Sequence, residues 1–263
     1  MALQHRAVSG AVKAALALIY PPQCLCCGAA VAATGEVQLC PACWPGVEFL
    51  SRSVCDCCGV PLPDDGMSDD GLSEDGLRGA RGLVCDDCLT NPRIWSRGRA
   101  AMVYGGGARR MVLALKHGDR LDMVPALGGW LARAARPLVE PDQIVVPVPV
   151  HPRRLLKRRY NQAAQLGAQV ARALGLPHHP ALLRRTRHTG TQEGRGRLER
   201  IAAQRDAFAV APDRIEMLAD RPVLLIDDVM ASGGTVAAAA DALLRAGSGP
   251  VSVAVLARTL RDP

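Results

Sequence analysis

The sequence predicts an α/β domain with a mostly parallel sheet, preceded by a small cysteine-rich module. Two features of the 263 residues support this division. All ten cysteines lie between Cys24 and Cys88, so they belong to one N-terminal segment. From residue 96 onward, short apolar runs alternate with stretches rich in alanine and leucine. Such alternation is typical of parallel strands that are covered by helices on both faces.

The distribution of charge divides the chain at the same place. Residues 1–95 carry 6 basic and 11 acidic side chains, whereas residues 96–263 carry 26 basic and 14 acidic ones. A net charge of −5 is thus followed by one of +12, and Thr90-Asn91-Pro92 separates the two parts. We expect an N-terminal helix over residues 1–22, a cysteine module over 23–92 and a larger domain over 96–263.

Composition and the first residues disfavour several classes of protein. With 49% hydrophobic and 22% charged residues the chain is expected to fold, and no apolar stretch approaches the length of a membrane span. Only 3 Trp, 3 Tyr and 2 Phe are present, which argues against a base-stacking surface. The short apolar run that ends at Ile19 leads into Pro21 and Pro22, which favours an amphipathic helix and a cytoplasmic location over export.

Regularly spaced cysteines predict two metal sites in the N-terminal module. Two Cys-x-x-Cys turns direct four thiolates to one point and complete a tetrahedral zinc shell without an open position. Cys-Leu-Cys-Cys-Gly also returns as Cys-Asp-Cys-Cys-Gly 31 residues later, which favours a tandem pair of zinc ribbons. We therefore expect one or two structural zinc ions. The proposed ligand pairs are Cys24/Cys27, Cys40/Cys43, Cys55/Cys58 and Cys85/Cys88.

Two alternatives stay open for this module. The cysteines could form disulfides in an extracellular protein, although no convincing signal peptide supports that interpretation. The pairs could also cross between the two ribbons. Cys26 and Cys57 are interpreted as spare neighbours of the ligands, and the acidic residues 64–75 are expected to form a disordered loop.

The larger domain contains three predicted strands and three predicted helices. The strands are expected over residues 144–148, 223–226 and 251–256, and the helices over 122–136, 161–174 and 235–246. Ligands of parallel sheets bind beyond the carboxyl ends of the strands. The residues that follow each predicted strand are therefore candidates for a functional site.

Two adjacent carboxylates, Asp227 and Asp228, follow the second predicted strand. They lead into a loop of small residues before a predicted helix, and such a loop attracts an anion through its N–H groups and the helix dipole. Carboxylates accept hydrogen bonds from vicinal hydroxyls. Together the two features indicate a phosphorylated ribose. The loop residues are Ala231, Ser232, Gly233, Gly234 and Thr235.

This stretch resembles the phosphoribosyl pyrophosphate (PRPP) fingerprint of type I phosphoribosyltransferases. The fingerprint often has two hydroxyl residues before its first glycine, where this chain has Ala231-Ser232. The resemblance implies the type I phosphoribosyltransferase fold. It also implies that Asp227 and Asp228 hold the ribose diol and that residues 231–235 surround the 5′-phosphate.

The same resemblance implies a pyrophosphate loop after the strand over residues 144–148. Residues 150–210 contain 13 Arg and Lys against 3 Asp and Glu, and guanidinium groups match pyrophosphate oxygens well. Arg153, Arg154 and Arg158 are the expected pyrophosphate ligands, and Arg158 is also expected to act with the two aspartates in catalysis. A solvated basic surface or an RNA-facing patch is the alternative.

A series of short motifs follows the cysteine module. In order they are Tyr104, Leu115-Lys116-His117-Gly118, Val-Pro-Val-Pro-x-His-Pro-x-Arg ending at Arg154, Tyr160-Asn161-Gln162-Ala163, Thr189-Gly190-Thr191-Gln192, Ala207-Phe208 and the Asp-Asp loop. The order of these motifs over residues 20–258 resembles the ComF family of competence-associated proteins. Members usually have Gly-Phe where this chain has Arg159-Tyr160, and they tend to carry Asn at position 203, which is Ala203 here.

A mobile loop closes over the site in the enzymes that this chain resembles. Residues 184–205 occupy the corresponding place, and Thr191, Gln192 and Arg200 are the candidates within them. Lys116 is a further candidate, with a solvated lysine as the alternative. His151 is a candidate general acid or base, and the simpler alternative is a scaffold residue.

Two functions of different classes follow from these patterns. The first is an enzyme that binds PRPP with Mg²⁺ and transfers phosphoribosyl to an unknown acceptor, with release of pyrophosphate. Positioning and charge neutralisation would supply the catalysis. The second is a non-catalytic PRPP- or ssDNA-binding accessory protein, which the family resemblance links to DNA uptake alongside a motor protein. A regulator that senses PRPP is a third possibility.

Overall fold

The predicted α/β class is confirmed by a four-stranded parallel sheet with the strand order β1-β6-β5-β2. A computed structural model describes residues 21–31, 38–50, 53–63, 83–151, 155–156, 159–186 and 207–260. The sheet strands are β1 (Arg97–Val103), β2 (Ile144–Pro147), β5 (Val223–Met230) and β6 (Val251–Arg258). A separate antiparallel hairpin consists of β3 (Leu183–Arg185) and β4 (Phe208–Val210).

Helices cover both faces of the sheet. The helices are α1 (Asp86–Thr90), α2 (Gly106–His117), α3 (Val124–Ala135), α4 (Gln162–Leu174), α5 (Ile215–Leu218) and α6 (Gly234–Arg245). Short 3₁₀ turns lie at Trp44–Gly46, Leu121–Met123, Arg136–Leu138 and Pro212–Arg214. Among the described residues, no helix is long and apolar enough to cross a membrane.

Two hydrophobic cores lie on opposite sides of the sheet. One core joins alternate residues of β5 and β6 to α2, α3 and α4, and the other joins the remaining strand residues to α6 and the β3–β4 hairpin. All eight residues of β6 are buried, as expected for an inner parallel strand. Helix α4 begins after Asn161, whose side chain caps it, and ends at Gly175 in the left-handed conformation.

Residues 48–50 and 53–63 of the cysteine module pack against β1, the edge strand of the sheet. The N–H of Gly98 donates to the carbonyl of Asp56 at 2.7 Å, and the N–H of Val103 donates to Glu48 at 2.9 Å. Gly59 has a φ of +69°, and a Cβ there would lie 2.8 Å from the Ala100 nitrogen. The module thereby covers a strand edge that would otherwise offer unpaired backbone groups.

The predicted helices agree with α3, α4 and α6 to within two residues at each end. The predicted strand over 223–226 is too short, because β5 continues to Met230 and pairs with β6 as far as Arg258. Asp227 and Asp228 therefore lie on the strand and not in the loop after it. Strand β1 and helix α2 were not predicted, since arginine and glycine interrupt the apolar pattern of β1.

Several expectations concern residues that the structure does not describe. They include most of the N-terminal helix expected over residues 1–22 and the acidic loop expected over 64–75. The expected mobile loop over residues 184–205 begins later than predicted, because Arg184 and Arg185 belong to β3.

Candidate functional site

The eight paired cysteines form two groups in chain order. Within each group the four sulfur atoms lie within 4.8 Å of one another. Residues 24–43 supply one group and residues 55–88 the other, so the pairs do not cross between ribbons. Cys26 and Cys57 lie outside both groups. The first four-cysteine group is Cys24, Cys27, Cys40 and Cys43, and the second is Cys55, Cys58, Cys85 and Cys88.

In each group one thiol is shifted towards the thiolate form that a cation binds. Burial raises the pKa of Cys24, but hydrogen bonds from the N–H groups of Cys40 and Cys27 outweigh it and lower the pKa to about 6. Hydrogen bonds from the Cys58 thiol and from the N–H of Cys85 lower the pKa of Cys55 to about 4. Four clustered sulfur ligands with N–H donors to sulfur fit a structural zinc ion.

Asp227 and Asp228 lie in the carboxyl-terminal half of β5, next to helix α2. The Asp228 carboxylate accepts from Lys116 Nζ at 3.0 Å, and the Asp228 N–H donates to Asp227 Oδ1 at 2.9 Å. Lys116 occupies the last turn of α2, which packs on the same side of the sheet. The structure therefore brings Lys116 to the carboxylate pair.

The ionisation of Asp227 is opposed by its surroundings. Burial, and then the charge of Asp228, raise the pKa of Asp227 to about 7. In the unfolded chain an aspartate titrates near pH 4, so between these values the folded protein binds a proton that the unfolded chain releases. Stability from this group is therefore greatest at low pH and is lost as the pH rises through 7.

We expect Asp227→Asn to stabilise the protein more at pH 8 than at pH 5.5, by about 2 kcal/mol. Asparagine can still accept from the Asp228 N–H but carries no charge to be desolvated. Urea unfolding of both proteins at the two pH values measures the difference. Asp213→Asn, at a largely exposed carboxylate, is the control and should show no such pH dependence. An Asp227→Asn effect that is equal at both pH values would contradict this assignment.

The glycine loop, residues 231–235, connects β5 to α6. Gly233 precedes the helix with a φ of +80°, which favours glycine, and α6 begins at Gly234. A Cβ at Gly233 would lie 3.0 Å from the Trp95 ring. The loop thus places the N-terminus of a twelve-residue helix beyond the end of β5, where an anion is favoured.

Arg258 is a residue of this site that the sequence motifs did not indicate. Its side chain is 4% exposed, and Nη1 donates to the carbonyls of Met230 and Ala231 at 3.0 and 2.5 Å. Among the described residues no carboxylate forms an ion pair with it, so its charge is desolvated without a counter-ion. The signal in the sequence is one arginine at the end of an otherwise uncharged eight-residue strand.

The segment between β2 and α4 is described only in part. Arg153, Arg154 and Arg158 lie outside the described residues, as do Thr191, Gln192 and Arg200. The positions of these six expected site residues relative to the carboxylates therefore stay predictions.

The described end of this segment is linked to α2. The Tyr160 hydroxyl donates to the Leu115 carbonyl at 2.6 Å, next to Lys116, and Asn161 Nδ2 donates to Val148 at 3.0 Å. Arg159 has a φ of +65°, a conformation that suits the glycine usual in the resembled family.

Two family models match separate parts of the chain. Residues 15–89 match the double zinc ribbon domain, and residues 161–262 match the phosphoribosyl transferase domain. The predicted zinc ribbons and the predicted phosphoribosyltransferase-type domain are thus confirmed.

Three curated proteins show the relationship along the chain. DNA utilization protein YhgH of Salmonella typhi is 31% identical over 79% of this chain and 85% of its own length. The protein of the same name from Escherichia coli K12 is 29% identical over 92% of this chain and its full length. Competence protein F of Haemophilus influenzae is 28% identical over 66% of this chain and 78% of its own. With its double zinc ribbon and phosphoribosyltransferase-type domain, the chain belongs to the ComF family.

Proposed function

We propose that this protein binds PRPP together with Mg²⁺ and transfers its phosphoribosyl group to an acceptor base or amine, with release of pyrophosphate. The observation that carries the proposal is the arrangement at the end of β5. Two adjacent carboxylates lie on the strand, and the strand leads directly into a glycine loop at a helix N-terminus. This combination suits a ribose diol next to a phosphate.

We assign a separate set of residues to each chemical group of PRPP. Asp227 and Asp228 accept hydrogen bonds from the ribose hydroxyls, and the N–H groups of residues 231–235 donate to the 5′-phosphate. Arg153, Arg154 and Arg158 are proposed for the pyrophosphate, whose negative charge suits guanidinium groups. Thr191, Gln192 and Arg200 are proposed for a loop that excludes water.

Lys116 supplies a positive charge close to the reacting carbon. In the structure its ammonium group neutralises Asp228 at 3.0 Å. During transfer, the bond from C1 of the ribose to a pyrophosphate oxygen breaks, and the bond from C1 to an acceptor nitrogen forms. The leaving oxygens gain negative charge, which Lys116 and the arginines stabilise. Mg²⁺, bound together with PRPP near the Asp227 and Asp228 carboxylates, would neutralise part of the negative charge of the leaving pyrophosphate.

Calorimetry of the zinc-loaded protein with PRPP and Mg²⁺ tests the proposal. We expect one PRPP site per chain, and release of pyrophosphate when the matching base from a panel is added. Binding of PRPP without pyrophosphate release from any base would support a non-catalytic PRPP-binding protein. Absence of PRPP binding at millimolar concentrations would refute the proposed site.

A role in DNA uptake is the second proposal. The names of the relatives refer to DNA utilization and competence, and residues 96–263 carry a net charge of +12. We propose that the protein is a cytoplasmic partner of a DNA-uptake motor protein and that ssDNA is a direct ligand. Fluorescence anisotropy with labelled ssDNA over a salt series tests this, because phosphate contacts weaken steeply with salt. No binding at low salt would exclude ssDNA as a direct ligand.

A further inference from the structure

Two arginines donate hydrogen bonds to the backbone carbonyls of residues 230–232, at the start of the glycine loop. Arg258 Nη1 donates to the carbonyls of Met230 and Ala231, and Arg93 Nη1 donates to the carbonyl of Ser232 at 3.4 Å. Arg258 approaches from β6, whereas Arg93 approaches from the segment that joins the second ribbon to β1. Three successive peptide groups are thus oriented by guanidinium groups.

These contacts decide which way the loop presents its donors. In a trans peptide the C=O and N–H groups point in opposite directions, so carbonyls held by the arginines turn the corresponding N–H groups the other way. Arg258 also places a desolvated positive charge beside the loop, since the residue is 4% exposed. The Arg93 side chain is 6% exposed, but its charge is paired with Asp87. Both effects favour an anion on the side that the N–H groups face.

Arg93 is itself held by the second four-cysteine group. Its Nε donates to Cys88 Sγ at 3.3 Å, and its Nη2 forms an ion pair with Asp87. Its guanidinium group also lies 5.7 Å from the ring centre of Trp95, whose indole N–H donates to the Cys57 carbonyl at 2.6 Å. One side chain therefore contacts a proposed zinc ligand and the glycine loop.

Within the described residues, the first four-cysteine group forms no hydrogen bond to the glycine loop. Its neighbour Cys26 instead contacts the start of α2, where Sγ lies 3.6 Å from the Gly107 carbonyl. A cavity of about 230 Å³ lies between residues 92–95 and the start of α6, and Arg93, Trp95, Ser232 and Gly233 line it. Thus, within the described residues, the second four-cysteine group is linked to the glycine loop through Arg93, and the first group is not.

We propose that Arg93 is a positioning residue that couples the second four-cysteine group to the glycine loop and so sets the affinity for the 5′-phosphate. This inference rests on the proposed PRPP function. It predicts that the state of the second ribbon, and not that of the first, controls phosphate binding.

Calorimetry of the full zinc-loaded chain with two partial ligands tests the coupling. For Arg93→Ala we expect affinity for ribose 5-phosphate to fall about tenfold, the size expected for one lost charge-assisted contact, while affinity for Mg²⁺-pyrophosphate stays within about twofold. The control is Arg97→Ala, which removes a nearby arginine that donates to the Pro137 carbonyl instead. A general effect of lost charge or lost stability would lower the affinity for both ligands in both variants.

The outcomes separate this inference from the function on which it rests. Failure of the wild-type protein to bind ribose 5-phosphate and PRPP would refute the function itself. Two other results would overturn the role of Arg93. In one, Arg93→Ala binds ribose 5-phosphate as tightly as the wild type does. In the other, its affinities for ribose 5-phosphate and for Mg²⁺-pyrophosphate fall equally. If Arg93→Ala loses zinc, Arg93→Lys is compared instead, since lysine keeps the charge beside Asp87 but has no second donor group to reach Ser232.

A matched pair of cysteine variants tests the selectivity between ribbons. Cys40→Ser and Cys85→Ser each alter the third ligand of one group, and each residue is half-buried. We expect only Cys85→Ser to weaken ribose 5-phosphate binding about tenfold and to increase amide hydrogen exchange at residues 232–235. Equal effects of the two substitutions would overturn the proposed selectivity.

Discussion

The double substitution Asp227→Asn/Asp228→Asn is expected to weaken PRPP binding at least about 100-fold. Two charged acceptors for the ribose hydroxyls become neutral, and each charge-assisted hydrogen bond contributes about 1.5–3 kcal/mol. Lys116 also loses its ion pair with Asp228, so its charge is no longer positioned by the strand. Calorimetry with PRPP and Mg²⁺ measures the affinity of the variant and of the wild type.

The structure predicts that this loss occurs without unfolding. Asparagine has nearly the same shape as aspartate, and removal of the buried charge at Asp227 is expected to stabilise the fold above pH 7. Asp213→Asn, at an exposed carboxylate on the 3₁₀ turn Pro212–Arg214, is the control and should bind PRPP like the wild type. Equal PRPP affinity in the double variant and the wild type would refute the assigned site.

Removal of metal from the cysteine groups is expected to unfold both ribbons. Structural zinc contributes about 10–16 kcal/mol to the folding of small ribbon modules, which equals or exceeds the total stability of a typical domain. Loss of the ribbons would expose the edge of β1, where the Ala101 carbonyl accepts from the Leu50 N–H and the Gly98 N–H donates to the Asp56 carbonyl. We therefore expect aggregation as well as loss of the thermal transition after treatment with a strong chelator.

Elemental analysis and differential scanning calorimetry check this expectation. The wild-type chain should contain about two zinc ions, and Cys27→Ser/Cys58→Ser, which changes one ligand in each group, should lose both. The matched control is Cys26→Ser/Cys57→Ser, because these neighbouring thiols lie outside both groups and should leave two zinc ions in place. A wild-type chain without zinc, or a chelated chain with an unchanged transition, would contradict the metal assignment.

The sequence alone was sufficient where the chemistry is local. Cys-x-x-Cys spacing and the Cys-x-Cys-Cys-Gly repeat predicted the two ribbons, because a tight turn directs neighbouring thiolates to one point. The apolar runs predicted β2, β5 and β6 because parallel strands that helices cover on both faces are buried on both faces. The Asp-Asp and glycine motif predicted the candidate site because its residues are consecutive in the chain.

The tertiary structure decided the contacts between residues that are far apart in the chain. Lys116 meets Asp228 across 112 positions, and Arg93 meets Ser232 across 139. No sequence motif indicated Arg258, because its contact with the glycine loop depends on the register of β6 against β5. The sequence by itself determined the two modules and their donor sets, because local spacing encodes them. Only the contacts of Arg93 with Cys88 and Ser232 showed that the second four-cysteine group is linked to the glycine loop, because long-range packing has no local signature.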